Sequence, residues 1–360
     1  MVEYRWPIIT DEMKKAVLDV LQGDFHPPGE QTAEFEKEFS KFCGAKFTVA
    51  VSSGTAALHL SALACGIGPG DEIITTSNSM SSSVDSVLFV GAKPVLVDIN
   101  KETFNIDAEK IEEKITSKTK AILPVHINGH PADMDPIIEL AEKHDLIVFD
   151  DACHAAGAKY KEKRLGNMGD ISSFSFVSKN MTVGGDGGMV VTNKEELAEK
   201  VKMLRRHGRN EKGVQVMLGY NYRISEIASA LGRLQLKKLD EWNKLRRKNA
   251  KCYEELLKDT PTNCPVEKSW AYHVYLFYFI EGPERDKLQN FLKNKGIRTR
   301  TPYQPIHTLP YFVERCGKLD KDLPITMRHF ANSLALPVYP TMTKEDIEHV
   351  AESVIEFYVK

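Results

Sequence analysis

Two short segments of the 360-residue sequence carry residue types that together could act on a carbonyl group. In the first, residues 170–193 (DISSFSFVSKNMTVGGDGGMVVTN), an apolar run ends at Lys179, and a glycine-rich turn and a second apolar run follow. A lysine held where two strands and a loop converge can lose solvent, which makes its amine a better nucleophile toward a carbonyl. By itself the pattern is weak, because most lysines beside glycines are solvated loop residues.

The second segment, residues 146–158 (LIVFDDACHAAGA), ends a buried-type strand at Asp150 and Asp151, with His154 three residues further on. In isolation, Asp151 would more often be a capping or structural carboxylate and His154 a hydrogen-bonded core histidine. Adjacent buried carboxylates nevertheless need a compensating cation. A lysine that forms an imine and an acid that keeps a pyridine nitrogen protonated are the pair that a pyridoxal-phosphate enzyme needs. The two segments together therefore predict pyridoxal 5′-phosphate as the cofactor.

Composition argues against several other classes of protein. The chain is 42% hydrophobic and 27% charged, as is ordinary for a globular enzyme, and its formal net charge of -2 argues against a general nucleic-acid-binding surface. No apolar run approaches the roughly 20 residues that span a bilayer, and no signal peptide is visible, so we expect a cytoplasmic protein with no membrane partner. The six cysteines have no metal-ligand spacing, which predicts free thiols and no metal site.

The elements that must position the candidate residues alternate along the first part of the chain. Segments of helical periodicity, such as 55–65 and 132–143, separate several apolar runs of strand length. These runs are 47–51, 72–76, 94–98, 120–125, 146–150, 171–177 and 188–192. The alternation predicts an α/β fold with a mainly parallel seven-stranded sheet covered by helices on both faces. Because ligands bind beyond the carboxyl ends of such strands, residues 52–55, 150–154 and Lys179 could share one pocket.

From about residue 195 the pattern becomes helical and charged, and short apolar runs return beyond Pro261. A strand is predicted at 273–280 and helices at 284–295 and 343–358. We therefore predict a large cofactor-binding domain that includes the N-terminal segment, residues 1–240, and a smaller α+β domain, residues 241–360.

A strand-to-helix turn that could bind phosphate lies in the segment VSSGTAALHL, which starts at Val51. N–H groups and the positive end of the helix dipole make such a turn an anion site. Gly54 allows the backbone to approach closely, and the hydroxyls of Ser53 and Thr55 can donate. Ordinary N-capping would be the favoured interpretation of this turn alone, but the lysine and aspartate favour a phosphate site.

A further polar pair, Asn221 and Arg223, precedes a helix in the segment GYNYRISEIASALG. Arg223 could form a surface ion pair, or it could hold a carboxylate or phosphate bidentately while Asn221 donates its amide to a phosphate oxygen.

Ten collinear segments make the chain resemble the DegT/DnrJ/StrS family of pyridoxal-phosphate-dependent sugar aminotransferases, which have the aspartate-aminotransferase-like fold. They run from PPGEQTAEFEKEFSKFCGAK (27–46) to LALPVYP (334–340) and include SSGTAALHLSALACGIGPGDEII (52–74), SKNMTVGGDGGMVVTN (178–193) and PYQPIHTLPYF (302–312). A single segment would be weak, whereas ten in order over nearly the whole chain are a specific match.

The resemblance implies how the cofactor ring is held. Lys179 would form the Schiff base, Asp151 would pair with the pyridine nitrogen, and His154 would lie near the ring's 3-oxygen. Relatives usually place an aromatic residue over the ring, and Met80 stands at that position here. Relatives often have glutamine where this chain has His154.

The resemblance also implies how the phosphate and substrates are held. Gly54 and Thr55, with Ser53 in the same turn, would bind the cofactor phosphate. Ser175 is a further phosphate contact, although its spacing to Lys179 is one residue shorter than in relatives, so that Ser178 or Ser173 could replace it. Asn221 would reach the phosphate in a neighbouring subunit, which implies a homodimer with shared active sites. His307 lies in a segment that borders the substrate cleft in relatives; Arg223, from its own residue type and position, is the other expected substrate-binding residue.

The predicted reaction is a reversible transamination. An amino acid, expected to be L-glutamate, would leave its amino group on the cofactor as pyridoxamine 5′-phosphate, and a keto sugar, expected to be nucleotide-linked, would take it. An aminocyclitol aminotransferase and a non-catalytic regulatory or binding protein on the same fold are the alternatives. A sugar 3-dehydratase does not fit, because those relatives have histidine at the position of Lys179.

Overall fold

A seven-stranded sheet lies at the centre of the protein. The computed structural model describes residues 8–23, 26–177 and 181–359. Its strands are β1 (Phe47–Val51), β2 (Glu72–Thr76), β3 (Lys93–Val97), β4 (Thr119–Ile122), β5 (Ile147–Asp151), β6 (Lys159–Tyr160), β7 (Lys163–Arg164), β8 (Ile171–Ser175), β9 (Gly188–Thr192), β10 (Ala271–Tyr272), β11 (Tyr278–Glu281) and β12 (Ser333–Leu336). The order in the large sheet is β1-β9-β8-β5-β4-β2-β3. Each predicted apolar run overlaps one of these seven strands.

The helices are α1 (Asp11–Gln22), α2 (Glu30–Cys43), α3 (Gly54–Ala64), α4 (Ser81–Phe89), α5 (Met134–His144), α6 (Glu195–Leu204), α7 (Glu226–Leu257), α8 (Arg285–Asn294), α9 (Pro310–Cys316), α10 (Pro324–Asn332) and α11 (Lys344–Val359). Short 3₁₀ helices occupy Ala108–Lys110, Glu112–Lys114, Ile127–Gly129 and Ile306–Thr308.

The sheet is parallel except around β9, which pairs antiparallel with both β1 and β8. β9 follows β8 with no helix among the described residues between them, and strands joined without a crossover pair antiparallel. Two antiparallel steps restore the direction, so the carboxyl end of β1 lies at the same edge as those of β8 and β5. The mainly parallel sheet that the sequence predicts is confirmed.

Helices cover both faces of the sheet, as the side chains that alternate between the two faces of β1 show. Val49 and Val51 pack into one core with Leu58 of α3. Ala50 points to the opposite face and packs with Phe35 of α2. Because successive side chains of a strand alternate between faces, a near-continuous apolar run such as FTVAV is typical of a strand buried on both sides.

A second core lies in the C-terminal part of the chain. β11 and β12 form an antiparallel pair that packs against α8, α11 and the last turns of α7. Helix α7 continues through the predicted boundary at residue 240, with Leu239 in the core beside the large sheet and Tyr253 in the C-terminal core. The division into two domains at that position stays a prediction.

The strand predicted at 273–280 is interrupted. Tyr275 has a positive φ of 46°, and the amides of Val274 and Leu276 donate to the carbonyls of Gly129 and Asn128. The chain therefore docks on the loop after β4 before it enters β11, and this detour brings Phe277 to the edge of the large sheet where the parallel strands end.

Two contacts attach the C-terminal part of the chain to that same edge. Asp98, which follows β3 and is buried, accepts hydrogen bonds from the amides of Ile325 and Thr326 and from the Thr326 hydroxyl. Its carboxylate thereby caps α10, where the helix dipole favours a negative charge. Ser77, which follows β2, accepts from the amides of Ile306 and His307 through its carbonyl and hydroxyl oxygens respectively.

Among the described helices, none combines the length and apolarity needed to cross a membrane. The described cysteines whose side chains are placed are free thiols: Cys43, Cys65, Cys153, Cys252 and Cys264.

Replacing Asp98 by alanine removes three hydrogen bonds at the start of α10. Because hydrogen bonds to a charged group contribute about 1.5–3 kcal/mol each and are not additive, we expect the free energy of unfolding in urea to fall by about 3 kcal/mol. Asp259→Ala, at an exposed site after α7, is the control and should change it by less than about 0.5 kcal/mol. Equal effects of the two substitutions would contradict the capping role.

Candidate active site

A cavity of about 370 Å³ opens where β1, β2, β4, β5 and β8 end. Seven of the predicted site residues line it: Ser53, Gly54, Thr55, Met80, Asp151, His154 and Ser175. The other lining residues are Ser79, Ser82, Val125, Cys153, Val177, Asp186, Leu276, Phe277, Arg300 and Tyr303. A separate cavity of about 440 Å³ between α1 and α7 contains none of the predicted residues. These seven predicted residues therefore lie around one cavity at the strand ends.

One end of this cavity is built by the start of α3. Ser53 has an extended backbone, and its hydroxyl accepts from the amide of Ala56 at 3.0 Å, so it is an N-cap. A β-carbon at Gly54 would lie 2.7 Å from the Cβ of Ser175 and 3.0 Å from the Sγ of Cys153, so only glycine fits there. The first amides of a helix have no intrahelical acceptor, and here they meet the serine that ends β8. This end of the cavity has the composition of an oxyanion site.

At the end of β5, Asp151 is held in a fixed orientation. One carboxylate oxygen accepts from the amide of Cys153 at 3.0 Å, and the other accepts from the hydroxyl of Ser83 at 2.6 Å. Ser79 and Ser83 are 2.7 Å apart. Because the single proton of Ser83 is given to the carboxylate, Ser79 must donate to Ser83. No described lysine, arginine or histidine lies within ion-pair distance of Asp151, so its charge is free to meet a cation in the cavity.

Asp150 points away from the cavity and has protein partners of its own. It accepts from the hydroxyl of Ser172 at 2.6 Å and lies 3.3 Å from Nε2 of His126. The amide of Ala132 donates to Nδ1 of His126 at 2.9 Å, which places the imidazole proton on Nε2, toward Asp150. Of the two adjacent aspartates, only Asp151 is therefore presented to a ligand.

His154 borders the cavity beside two aromatic rings. The ring of Tyr303 lies nearly parallel to the imidazole at a centroid distance of 5.8 Å, and Phe277 meets it edge-on at 5.7 Å. The guanidinium of Arg300 lies 4.5 Å from the centre of the Tyr303 ring and 4.9 Å from that of Phe277. The sequence did not identify these three neighbours as site residues. The only available signal was their position: Tyr303 lies in a singled-out segment, and Arg300 lies just before it.

Met80 and Cys153 also face the cavity. Met80 precedes α4, and its side chain is half exposed, as suits a residue that could lie against a ligand. Burial raises the pKa of the Cys153 thiol, and the nearby Asp151 raises it further. The thiol therefore stays protonated and is a poor nucleophile at neutral pH.

Lys179 and Ser178 lie outside the described residues, so the position of the predicted nucleophile stays a prediction. Of its described neighbours, Val177 lines the cavity and Met181 is buried. Ser173, an alternative phosphate contact, is fully buried and hydrogen-bonded to Ser61 rather than lining the cavity.

Asn221 and Arg223 do not line the cavity of their own chain. Nε of Arg223 donates to the Asn221 side-chain oxygen at 3.0 Å, in a partly exposed loop before α7. The carbonyl of Tyr222 accepts from the amide of Ser52 at 2.8 Å, which holds this loop beside the end of β1. The roles predicted for Asn221 and Arg223 stay predictions.

His307 is fully buried and does not line the cavity. Its Nδ1 lies 2.7 Å from the hydroxyl of Ser77. Burial lowers the pKa of His307, so the ring is neutral near pH 7. The substrate contact predicted for His307 stays a prediction. In the structure its partner is Ser77, which follows β2.

The model of the DegT/DnrJ/EryC1/StrS aminotransferase family matches residues 7–355. GDP-perosamine synthase of Caulobacter vibrioides is 39% identical over 331 residues, which cover 89% of this chain and 88% of that protein. A protein of Geobacillus stearothermophilus named "Pleiotropic regulatory protein" is 38% identical over 352 residues, with 96% and 94% covered.

The fold agrees with solved structures of the same kind. The crystal structure of DesV of S. venezuelae in complex with a ketimine intermediate superimposes with a TM-score of 0.94 at 36% identity, covering 97% of this chain and 95% of that one. This agreement confirms the predicted fold, and the match over nearly the whole length confirms the resemblance drawn from the ten segments. The protein belongs to the DegT/DnrJ/EryC1/StrS aminotransferase family.

Proposed function

We propose that the protein transfers an amino group from L-glutamate to a nucleotide-linked keto sugar, with pyridoxal 5′-phosphate as cofactor. The observation that carries the proposal is a single cavity with an oxyanion site at the start of α3 and the oriented carboxylate of Asp151 in its wall. Membership of an aminotransferase family supports the reaction class. The acceptor is proposed because two relatives are named GDP-perosamine synthase, which names a nucleotide-linked sugar.

The cavity residues suit the chemistry of this cofactor. A phosphorylated pyridine needs donors for its phosphate and an anion for its protonated nitrogen. Ser53, Gly54, Thr55 and Ser175 meet the first need, and the close approach of Gly54 to Ser175 joins the two elements that supply them. Asp151 meets the second need, because its partners are a hydroxyl and an amide rather than a described cation.

Bound at this site, the cofactor would accept the donor's amino group and pass it to the acceptor. Lys179 is assigned to attach the cofactor and to move the proton at the donor's Cα, first as base and then as acid. Asp151 would keep a proton on the pyridine nitrogen, and His154 would hydrogen-bond at the 3-oxygen. Met80 would pack on the ring face, where a thioether makes softer contacts than an aromatic ring.

A homodimer would complete the site. Asn221 is proposed to donate to the phosphate in the partner subunit, and Arg223 to hold an anionic group of the substrate there. An exposed apolar surface near this loop supports the proposal, since Leu218 is 76% exposed and Phe89 is 57% exposed. Phe89 and Tyr220 both contact the ring of His59, which places the apolar surface beside the polar pair.

The regulatory alternative is favoured by one observation, the name of the Geobacillus stearothermophilus relative. A regulatory protein on this fold need not turn over substrate. A cyclic ketone in place of the sugar is the other alternative, and it would use the same cavity residues.

The central test is the response of the purified protein to its cofactor and donor. After addition of pyridoxal phosphate, L-glutamate should convert the visible absorbance of the lysine-bound cofactor to that of pyridoxamine phosphate, and a nucleotide-linked keto sugar should reverse the change. Lys179→Ala should lower turnover at least about 10³-fold, because the same lysine amine is proposed as the nucleophile and as the proton carrier. A wild-type protein that acquires no cofactor absorbance would favour the regulatory alternative.

Ser83→Ala tests the support of Asp151. The loss of a charge-assisted hydrogen bond should loosen the carboxylate and weaken cofactor affinity by about tenfold in a titration of the apo-protein with pyridoxal phosphate. The control is Ser86→Ala, because Ser86 is buried in the same helix and donates only to the carbonyl of Ser83. If Ser83→Ala and Ser86→Ala bind the cofactor equally well, the hydrogen bond from Ser83 does not support the cofactor-binding role of Asp151.

Hybrid dimers test the shared site. Lys179→Ala and Asn221→Asp are each expected to inactivate, the second because a carboxylate repels phosphate. In a mixed dimer, one site would combine an intact Lys179 with the partner's intact Asn221, so remixing equal amounts should restore roughly a quarter of the wild-type activity. If Asn221 serves its own chain, every mixed site carries one defect and no activity returns.

A further inference from the structure

We propose that Arg300 is the binding residue for the oxyanion that the two substrates share, the carboxylate of the amino donor and the phosphate of the nucleotide-linked acceptor. The inference rests on the proposed function and extends it to a residue that neither the sequence patterns nor the family match singled out. Transamination admits both substrates in turn to one cavity, and each carries an anionic group that needs a counter-charge.

The backbone of Arg300 is fixed. Its amide donates to the carbonyl of Ala335 at 3.2 Å, and the amide of Ala335 donates back at 2.7 Å. Ala335 belongs to β12 and is fully buried. The side chain therefore starts from a backbone position that is bonded to a strand at both its amide and its carbonyl.

The guanidinium lies against the rings of Phe277 and Tyr303, at 4.9 Å and 4.5 Å from their centres, and these two rings are nearly perpendicular to each other. A cation–π contact engages the positive charge of the guanidinium and leaves its N–H donors available to an anion. A fork of donors in a fixed plane matches the two oxygens of a carboxylate or phosphate.

Two other arginines that lie over aromatic rings in the described part of the chain have carboxylate partners. Arg164 lies over the ring of Phe42 and donates twice to the carboxylate of Asp240, at 2.9 and 2.7 Å. Arg247 lies over the ring of Tyr272 and is paired with Glu267. Within the described residues, the guanidinium of Arg300 has the aromatic contacts but no hydrogen-bond acceptor and no carboxylate partner.

The position of Arg300 also fits a substrate rather than a structural ion pair. It is the one lysine or arginine among the described residues that line the cavity. Tyr303 contacts both Arg300 and His154, so the guanidinium lies one side chain away from the proposed edge of the cofactor ring. An anion held there would lie in the same cavity as the proposed cofactor.

The test compares Arg300→Gln and Arg300→Lys with Arg298→Gln in the cofactor-loaded protein. Arg298 is exposed, lies two residues away and does not line the cavity, so its variant is a matched loss of one charge. One arm measures the L-glutamate concentration that half-saturates conversion of the cofactor absorbance. The second arm measures binding of UDP, GDP and dTDP by calorimetry and requires no turnover.

Arg300→Gln should raise the half-saturating L-glutamate concentration, or weaken the binding of at least one nucleotide, by about tenfold or more. Arg300→Lys should lie between Arg300→Gln and the wild type, because lysine keeps the charge but lacks the fork of N–H donors. Cofactor absorbance and melting temperature should match those of Arg298→Gln. An effect on glutamate alone assigns the donor carboxylate, and an effect on a nucleotide alone assigns the acceptor phosphate. If both arms are unchanged relative to Arg298→Gln, the inference is wrong. If the wild type fails to react with glutamate, the proposed function fails, while the nucleotide arm still decides the role of Arg300.

Discussion

The close approach of the start of α3 to the end of β8 is the constraint on which the candidate site depends. A β-carbon added at Gly54 would lie only 2.7 Å from the Cβ of Ser175. Because β1 and β8 both pair with β9, their carboxyl ends share an edge, and the helix that follows β1 can deliver its first amides to the serine that ends β8. Without that approach, the oxyanion site and the carboxylate of Asp151 would not border one cavity.

The other wall of the cavity comes from distant parts of the chain and is fixed by polar contacts at strand ends. Ser77 binds the segment that contains His307, and Asp98 caps α10. Arg300 is bonded to β12. These contacts are individually ordinary, but together they hold Tyr303 and Arg300 over the ends of the parallel strands. Buried polar residues outside the cavity thus determine which side chains face a substrate.

The sequence predicted the large sheet and seven of the residues that line the cavity because these depend on local patterns. Each of the seven strands is an apolar run, and Ser53–Thr55 and Asp151–His154 directly follow such runs. The substrate end depends on contacts between residues far apart in the chain, which periodicity does not encode. Phe277 reaches the cavity only because the chain breaks its strand at Tyr275 and docks on Gly129, and the burial of His307 follows from its contact with Ser77.

Helix α7 is continuous over 32 residues and belongs to both cores. At a rise of about 1.5 Å per residue it is a strut roughly 48 Å long. A helix of this length is stiff, so a shift of the C-terminal core would be transmitted along α7 to its first residues, beside Arg223. In the proposed homodimer, a shift in the C-terminal core of one subunit would then reach the loop that contains Asn221 and Arg223.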